Sequence, residues 1–213
     1  MKYRNHQKSA NVSQLRLSRG QLKGSLVHFT EHKGLRPTHI KVREAVFSML
    51  VPYVSTHGFV DVFAGSGAMA FEAFSCGFQP VILAEAALEA RRHILSNAKR
   101  LNVTFHALVS DALSLVSLAA YAPARDSIEL VGGLPDVPLI FYCDPPFDQP
   151  ALRQQFLERL TAFPNLHSDS LLLMEYPKED TPLEHNKLQI LKHKHYGRIS
   201  LLMYQIIGSR MTV

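Results

Sequence analysis

From residue 59 onward the chain alternates two kinds of pattern. Largely apolar runs of four to seven residues, at 59–63, 81–84, 103–109, 139–143 and 171–175, are separated by stretches of helical composition at 68–76, 86–100, 112–120 and 149–162. Runs of that length suit strands buried on both faces, and their alternation with helices predicts an α/β fold with a mostly parallel sheet covered on both sides. The last of these helices opens beside Pro150, where a proline fits the first helical turn. Ahead of the series, Val42, Ala45, Val46, Met49 and Leu50 recur at helical spacing, predicting a helix over 38–50 with Thr38 as its N-cap and Pro52 beyond its end. Pro37 holds Arg36 extended, either as a loop cation or as a group over the site opening. A hairpin is expected around 14–29, and an antiparallel pair, 188–195 and 198–207, flanks Tyr196-Gly197 and closes the sheet. Residues 121–138 read as a long surface loop, and both ends of the chain as loose polar segments.

A chain of 213 residues, 46% hydrophobic, can bury one full core, so the expected organisation is a basic extension over 1–37 and one domain over 38–213. No run is long enough to cross a membrane and the N-terminus lacks a secretory pattern, which predicts a cytoplasmic protein, expected to be a monomer. Cys76 and Cys143 read as buried thiols, and the eleven histidines are scattered, His193 and His195 sharing a strand face without further ligands, so no metal is expected. Charge is uneven. Residues 1–43 hold ten Lys or Arg against one acid, Glu31, whereas the rest holds thirteen against seventeen. The net +5 therefore arises at the N-terminus, and a polyanion such as nucleic acid is its natural partner, with Arg16, Arg19 and Lys23 as candidate phosphate contacts.

The stretch F-V-D-V-F-A-G-S-G, 59–67, is an apolar run that ends in a tight turn. Gly65 and Gly67 permit the bend and let a ligand approach the backbone, while the following helix aims free N–H groups at whatever lies above. Because 65–70 also satisfies G-x-G-x-x-A, the turn alone leaves dinucleotide enzymes open. Asp61, Glu85, Asp111 and Asp144 all stand at or just after strand ends, where open α/β sheets bind ligands. Glu85 is suited to the two hydroxyls of a ribose and Asp111 to an exocyclic amine. Asp144-Pro145-Pro146-Phe147 makes a separate demand: two prolines remove two donors and fix the backbone, so the Asp144 carboxylate and the Pro145 carbonyl form an acceptor pair for an N–H₂ group. Phe147 adds a face for a planar base.

Taken together, D-V-F-A-G-S-G at 61–67, Glu85, Ser110-Asp111-Ala112 and D-P-P-F at 144–147 resemble the class I S-adenosylmethionine-dependent N-methyltransferases, whose fold is Rossmann-like with a seven-stranded sheet. More narrowly, G-L-R-P-T-x-x-x-V-R-E-x-x-F at 34–47 resembles the bacterial RsmD family, which methylates the exocyclic N2 of one guanine in 16S ribosomal RNA. The resemblance spans 16–205. It implies S-adenosylmethionine, leaving as S-adenosylhomocysteine, against Asp61, Phe63, Gly65, Gly67, Glu85, Asp111 and Ala112. It implies the reacting guanine at Asp144, Pro145 and Phe147, and RNA contacts at Arg36, Thr38, Pro146, Arg16, Arg19 and Lys23. The implied partner is 16S ribosomal RNA or the small subunit. Two positions depart from the family: Ala87 stands where an acid is usual, and Gly20-Gln21-Leu22-Lys23-Gly24-Ser25 replaces G-K-x-R-G-R. The competing functions are methylation of adenine N6 or cytosine N4 in DNA, a ribosome-assembly factor that binds RNA without catalysis, and a nicotinamide-dependent dehydrogenase.

Overall fold

The computed structural model describes residues 12–30, 40–116, 126–128, 133–146, 149–164 and 166–207. It contains a small hairpin, β1 (Val12–Arg16) and β2 (Leu26–Thr30), and a sheet of β3 (Gly58–Asp61), β4 (Val81–Ala84), β5 (Ala107–Val109), β6 (Leu139–Cys143), β7 (Leu171–Pro177), β8 (Leu188–Tyr196) and β9 (Ile199–Ile206). The helices are α1 (Ile40–Leu50), α2 (Ala68–Cys76), α3 (Leu88–Leu101) and α4 (Pro150–Ala162). Sheet order is β5-β4-β3-β6-β7-β9-β8. The first five of these pair in parallel, and β9 runs antiparallel to both β7 and β8. The mostly parallel sheet with its antiparallel closing pair is therefore as expected.

Strand periodicity divides the core into two layers. Phe59, Ile140, Tyr142, Leu173 and Leu201 face α1, α2 and α3, while Val60, Phe141, Cys143, Met174 and Tyr204 face α4. From β3 the chain winds outward through β4 and β5, then returns to the other side with β6 and β7. The reversal lies between β3 and β6, which opens a crevice beyond their carboxyl ends.

The hairpin belongs to the first layer, since Leu17 and Val27 are fully buried with α1 and α2. Its turn is held by Glu72 of α2, whose carboxylate accepts from the Ser18 N–H at 2.9 and 3.2 Å and from its hydroxyl at 2.7 Å, with Arg43 Nε 3.5 Å away. Gly20, at φ +71°, lies so close to α2 that a Cβ there would fall 1.8 Å from the Ser75 carbonyl oxygen. Along α3, Asn97 accepts from the His28 N–H and donates to its carbonyl, pairing one end of β2 as a strand would.

Two expectations are corrected. The apolar run 103–109 pairs only over Ala107–Val109, because the chain first climbs out of the left-handed cap at Asn102, burying Val103 and Phe105 without a ladder. The helix expected over 112–120 is a 3-10 turn at Ala112–Val116, its residues 117–120 lying outside the described set. Within the long loop, Ile128 bridges Leu108 at the sheet's edge.

Candidate active site

Asp61 ends β3, is 1% exposed, and accepts the Ala70 N–H at 3.2 Å. Burial, reinforced by the charges of Asp144 and Glu85, raises its pKa from 3.8 to about 8 against the opposing hydrogen bond. The chain then turns through Gly65 and Gly67, at φ +52° and +78°. A Cβ on Gly67 would also press on Ile94 and Phe71, at 3.0 and 3.2 Å, so glycine is demanded there twice over. Glu85 follows β4, and its two carboxylate oxygens accept from the Gly65 N–H and the Ala87 N–H, both at 2.7 Å. The departure at Ala87 thus leaves its backbone orienting Glu85, while α3 starts without a side-chain cap. Asp111 follows β5, and its Oδ1 accepts from Leu113 N–H at 3.0 Å, placing Ala112 at the start of the 3-10 turn. Phe63 is half-buried with its ring edge-on to Phe156 at 6.4 Å.

Across the reversal, Asp144, Pro145 and Pro146 follow β6. The Pro146 carbonyl accepts from Gln149 N–H at 2.9 Å and launches α4. Asp144 is half-buried and its pKa is raised by burial, opposed by the charge of Arg153. Phe147, Arg36 and Thr38 lie outside the described residues.

The structure adds side chains that sequence reasoning did not single out. Glu175, 1% exposed on β7, accepts a short hydrogen bond from the hydroxyl of Tyr142, which sits directly across the ladder from Asp61. Burial first, then the charge of Asp144, raises the pKa of Glu175. Arg153 of α4 stacks its guanidinium 4.5 Å from the centre of the Tyr176 ring and reaches Asp180 at 3.2 Å. Carboxylates from three adjacent strands, β3, β6 and β7, therefore stand together with one buried arginine nearby. The signal for Glu175 was present: it is a lone acid inside the apolar run L-L-L-M-E-Y-P.

Arg16, Arg19 and Lys23 are placed elsewhere. Ser75 donates to the Arg19 carbonyl at 2.5 Å and accepts from Leu22 N–H at 2.8 Å, fixing the hairpin turn to the last residues of α2. The glycine turn is at the other end of that helix, about 13 Å away at 1.5 Å per residue. These cations do not touch the crevice.

The family described as conserved hypothetical protein 95 matches residues 15–205. The chain belongs to this family. That agrees with the resemblance to RsmD, since relatives matching along nearly their whole length carry that name. It is 28% identical over 197 residues to the putative rRNA methyltransferase YlbH of Bacillus subtilis, covering 91% of this chain and 100% of the relative. It is 28% identical over 206 residues to ribosomal RNA small subunit methyltransferase D of Escherichia coli, covering 96% and 95%. Among solved structures, the putative methyltransferase yhhF from Escherichia coli superposes with a TM-score of 0.74 at 23% identity, over 92% of this chain and 99% of that one. The putative methylase HI0767 from Haemophilus influenzae gives 0.69, also at 23%, over 92% and 100%. The fold is that of the methyltransferases.

Proposed function

We propose that this protein transfers a methyl group from S-adenosylmethionine to the exocyclic N2 of a guanine in 16S ribosomal RNA. The observation that supports it most is the meeting, at one sheet reversal, of a glycine turn braced by Glu85 with the rigid Asp144-Pro145-Pro146 acceptor. Relatives over nearly the whole chain carry the name of a small-subunit rRNA methyltransferase.

The residues fit the cofactor. Glu85 stands just beyond β4 with its two carboxylate oxygens oriented by the Gly65 and Ala87 N–H groups, and a carboxylate so held is suited to the two hydroxyls of the ribose. Asp61 is a buried carboxylate whose ionised form calls for a cation, as the ammonium of a methionine moiety supplies. Gly65 and Gly67 would admit the ligand to the backbone, Asp111 and Ala112 after β5 would serve the adenine, and Phe63, beside the glycine turn, would add an apolar contact. When bound, S-adenosylmethionine provides an electrophilic methyl on a positive sulfur.

Asp144 and the Pro145 carbonyl accept the two protons of the guanine amine and aim its lone pair, and Asp144 takes the proton that leaves. Positioning of two bound reactants supplies much of the acceleration. A guanine stacked in a helix cannot enter, so the base is unpaired or flipped; the resemblance assigns its stacking to Phe147 and RNA contacts to Arg36 and Thr38, three residues outside the described set. Arg16, Arg19 and Lys23 hold phosphates further along the RNA.

The test is transfer of labelled methyl to small subunits from cells lacking this protein, followed by nucleoside analysis. N2-methylguanosine is expected, lost in Asp144→Ala while cofactor binding persists. Label in another base or only in DNA would overturn the target, and failure to bind S-adenosylmethionine would overturn the enzyme.

A further inference from the structure

The last two strands carry a second concentration of positive charge that the N-terminal excess conceals. Residues 186–207 contain Lys187, Lys192, Lys194 and Arg198 and no acid. Lys187 is committed to the Thr161 carbonyl at 2.7 Å. Lys192, Lys194 and Arg198 are exposed, as is Lys178 just after β7, and among the described residues no carboxylate forms an ion pair with any of these four.

Their placement is informative. Lys178 N–H donates to the Arg198 carbonyl at 2.9 Å, pinning the β8–β9 turn to the carboxyl end of β7. Met174 pairs with Cys143, and Pro177 lies three residues further on, so the turn stands beyond the strand end that carries Asp144. At about 5 Å between strands and 3.3 Å per residue, Arg198 is on the order of 10 to 15 Å from Asp144. From there Lys194 and Lys192 continue down β8 on the face shared with Leu201 and Met203, while His193 and His195 occupy the other face. Lysines on an edge strand can serve merely to repel another strand. That role accounts for Lys192 and Lys194 but not for Lys178 and Arg198, which lie at the site end and off the open edge.

We infer that Lys178, Arg198, Lys194 and Lys192 form a phosphate-binding track for the RNA flanking the target nucleotide, separate from the N-terminal hairpin. The RNA partner rests on the function proposed above; the track itself rests on the charge, exposure and position of these four side chains.

Its test replaces all four by glutamine and measures binding across a salt series to small subunits from cells lacking the protein and to protein-free 16S ribosomal RNA. Each lost contact to single-stranded RNA removes about 0.7 from the slope of log affinity against log salt, so the slope should flatten by about 2 to 3 on both ligands. Affinity near physiological salt should fall at least tenfold, with S-adenosylmethionine binding within twofold of the parent as the check on folding. An unchanged slope in a variant whose parent binds and methylates would overturn the track alone. Self-association of the variant with RNA affinity intact would assign these residues to edge protection. Loss confined to subunits would assign them to a ribosomal protein. If the parent binds no ribosomal RNA, the track and the proposed function fall together.

Discussion

Burial works against three carboxylates at once in the crevice. Asp61, Asp144 and Glu175 each have a raised pKa, Asp61 to about 8, with desolvation as the leading cause. A carboxylate raised in the native state keeps a proton that the unfolded chain has already released. The stability it contributes is therefore complete below about pH 4 and is lost as pH rises toward its native value. His57 acts in the opposite sense, because burial lowers its pKa and stability is gained as pH rises through 6.5. The cofactor-free protein should accordingly unfold more easily at pH 8.5 than at pH 5. Glu175→Gln, which still accepts from the Tyr142 hydroxyl, should flatten that decline and melt above the parent at pH 8.5, the His57 contribution being common to both. Thermal unfolding at pH 5, 7 and 8.5 checks this; parallel curves would mean that Glu175 does not hold an extra proton. A cation delivered to Asp61 would reverse its preference, so S-adenosylmethionine should bind more tightly as pH rises from 6 to 8, with proton release in calorimetry that Asp61→Asn abolishes.

At the scale of elements, the hairpin is held by one side chain more than by any other. Glu72 is fully buried in α2, binds Ser18 through three contacts and faces the equally buried Arg43, which itself donates to the Arg16 carbonyl at 2.7 Å. Removing the carboxylate strands the Arg43 charge, a change that costs about 3 to 5 kcal/mol. Glu72→Ala should lose that much in urea denaturation, whereas Glu184→Ala, at an exposed position, should lose less than about 0.5 kcal/mol. Gly20 belongs to the same contact, with the Ser75 carbonyl where its Cβ would be. The sequence predicts a hairpin around 14–29 and leaves open what it packs against. A glycine pattern reports the backbone conformation required, and the neighbour that requires it comes from fifty residues away.

For the whole molecule, the placement of the hairpin bears on where the folding unit begins. Leu17, Val27 and Phe29 are buried, the first two in the same core as α1, α2 and β3. We expect a chain starting at residue 31 to lose cooperative unfolding, and a truncated protein with the parent's stability would instead make the hairpin an appendage on a domain beginning near residue 38. The hairpin turn and the β8–β9 turn also lie at separate parts of the surface, the former at the far end of α2 and the latter above β7, so RNA that meets both must extend across the molecule.

Alternation of apolar runs with helical stretches, the glycine turn at Gly65 and Gly67 and the rigid Asp144-Pro145-Pro146 were legible in the sequence. Each is a demand made by contiguous residues on their own backbone: a period, a positive φ, a missing donor. The antiparallel ending of the sheet was legible for the same reason. The limits of the run at 103–109 were not, because apolar residues can be buried without pairing, and neither was the 3-10 turn at Ala112, where Asp111 engages the backbone two residues on. Only the tertiary structure decided that Asp61, Tyr142 and Glu175 adjoin Asp144 and that Arg19 lies a helix length from the crevice. Those relations depend on strand order and on crossovers joining residues far apart in the chain, and a pattern read along the chain carries no record of which strands become neighbours.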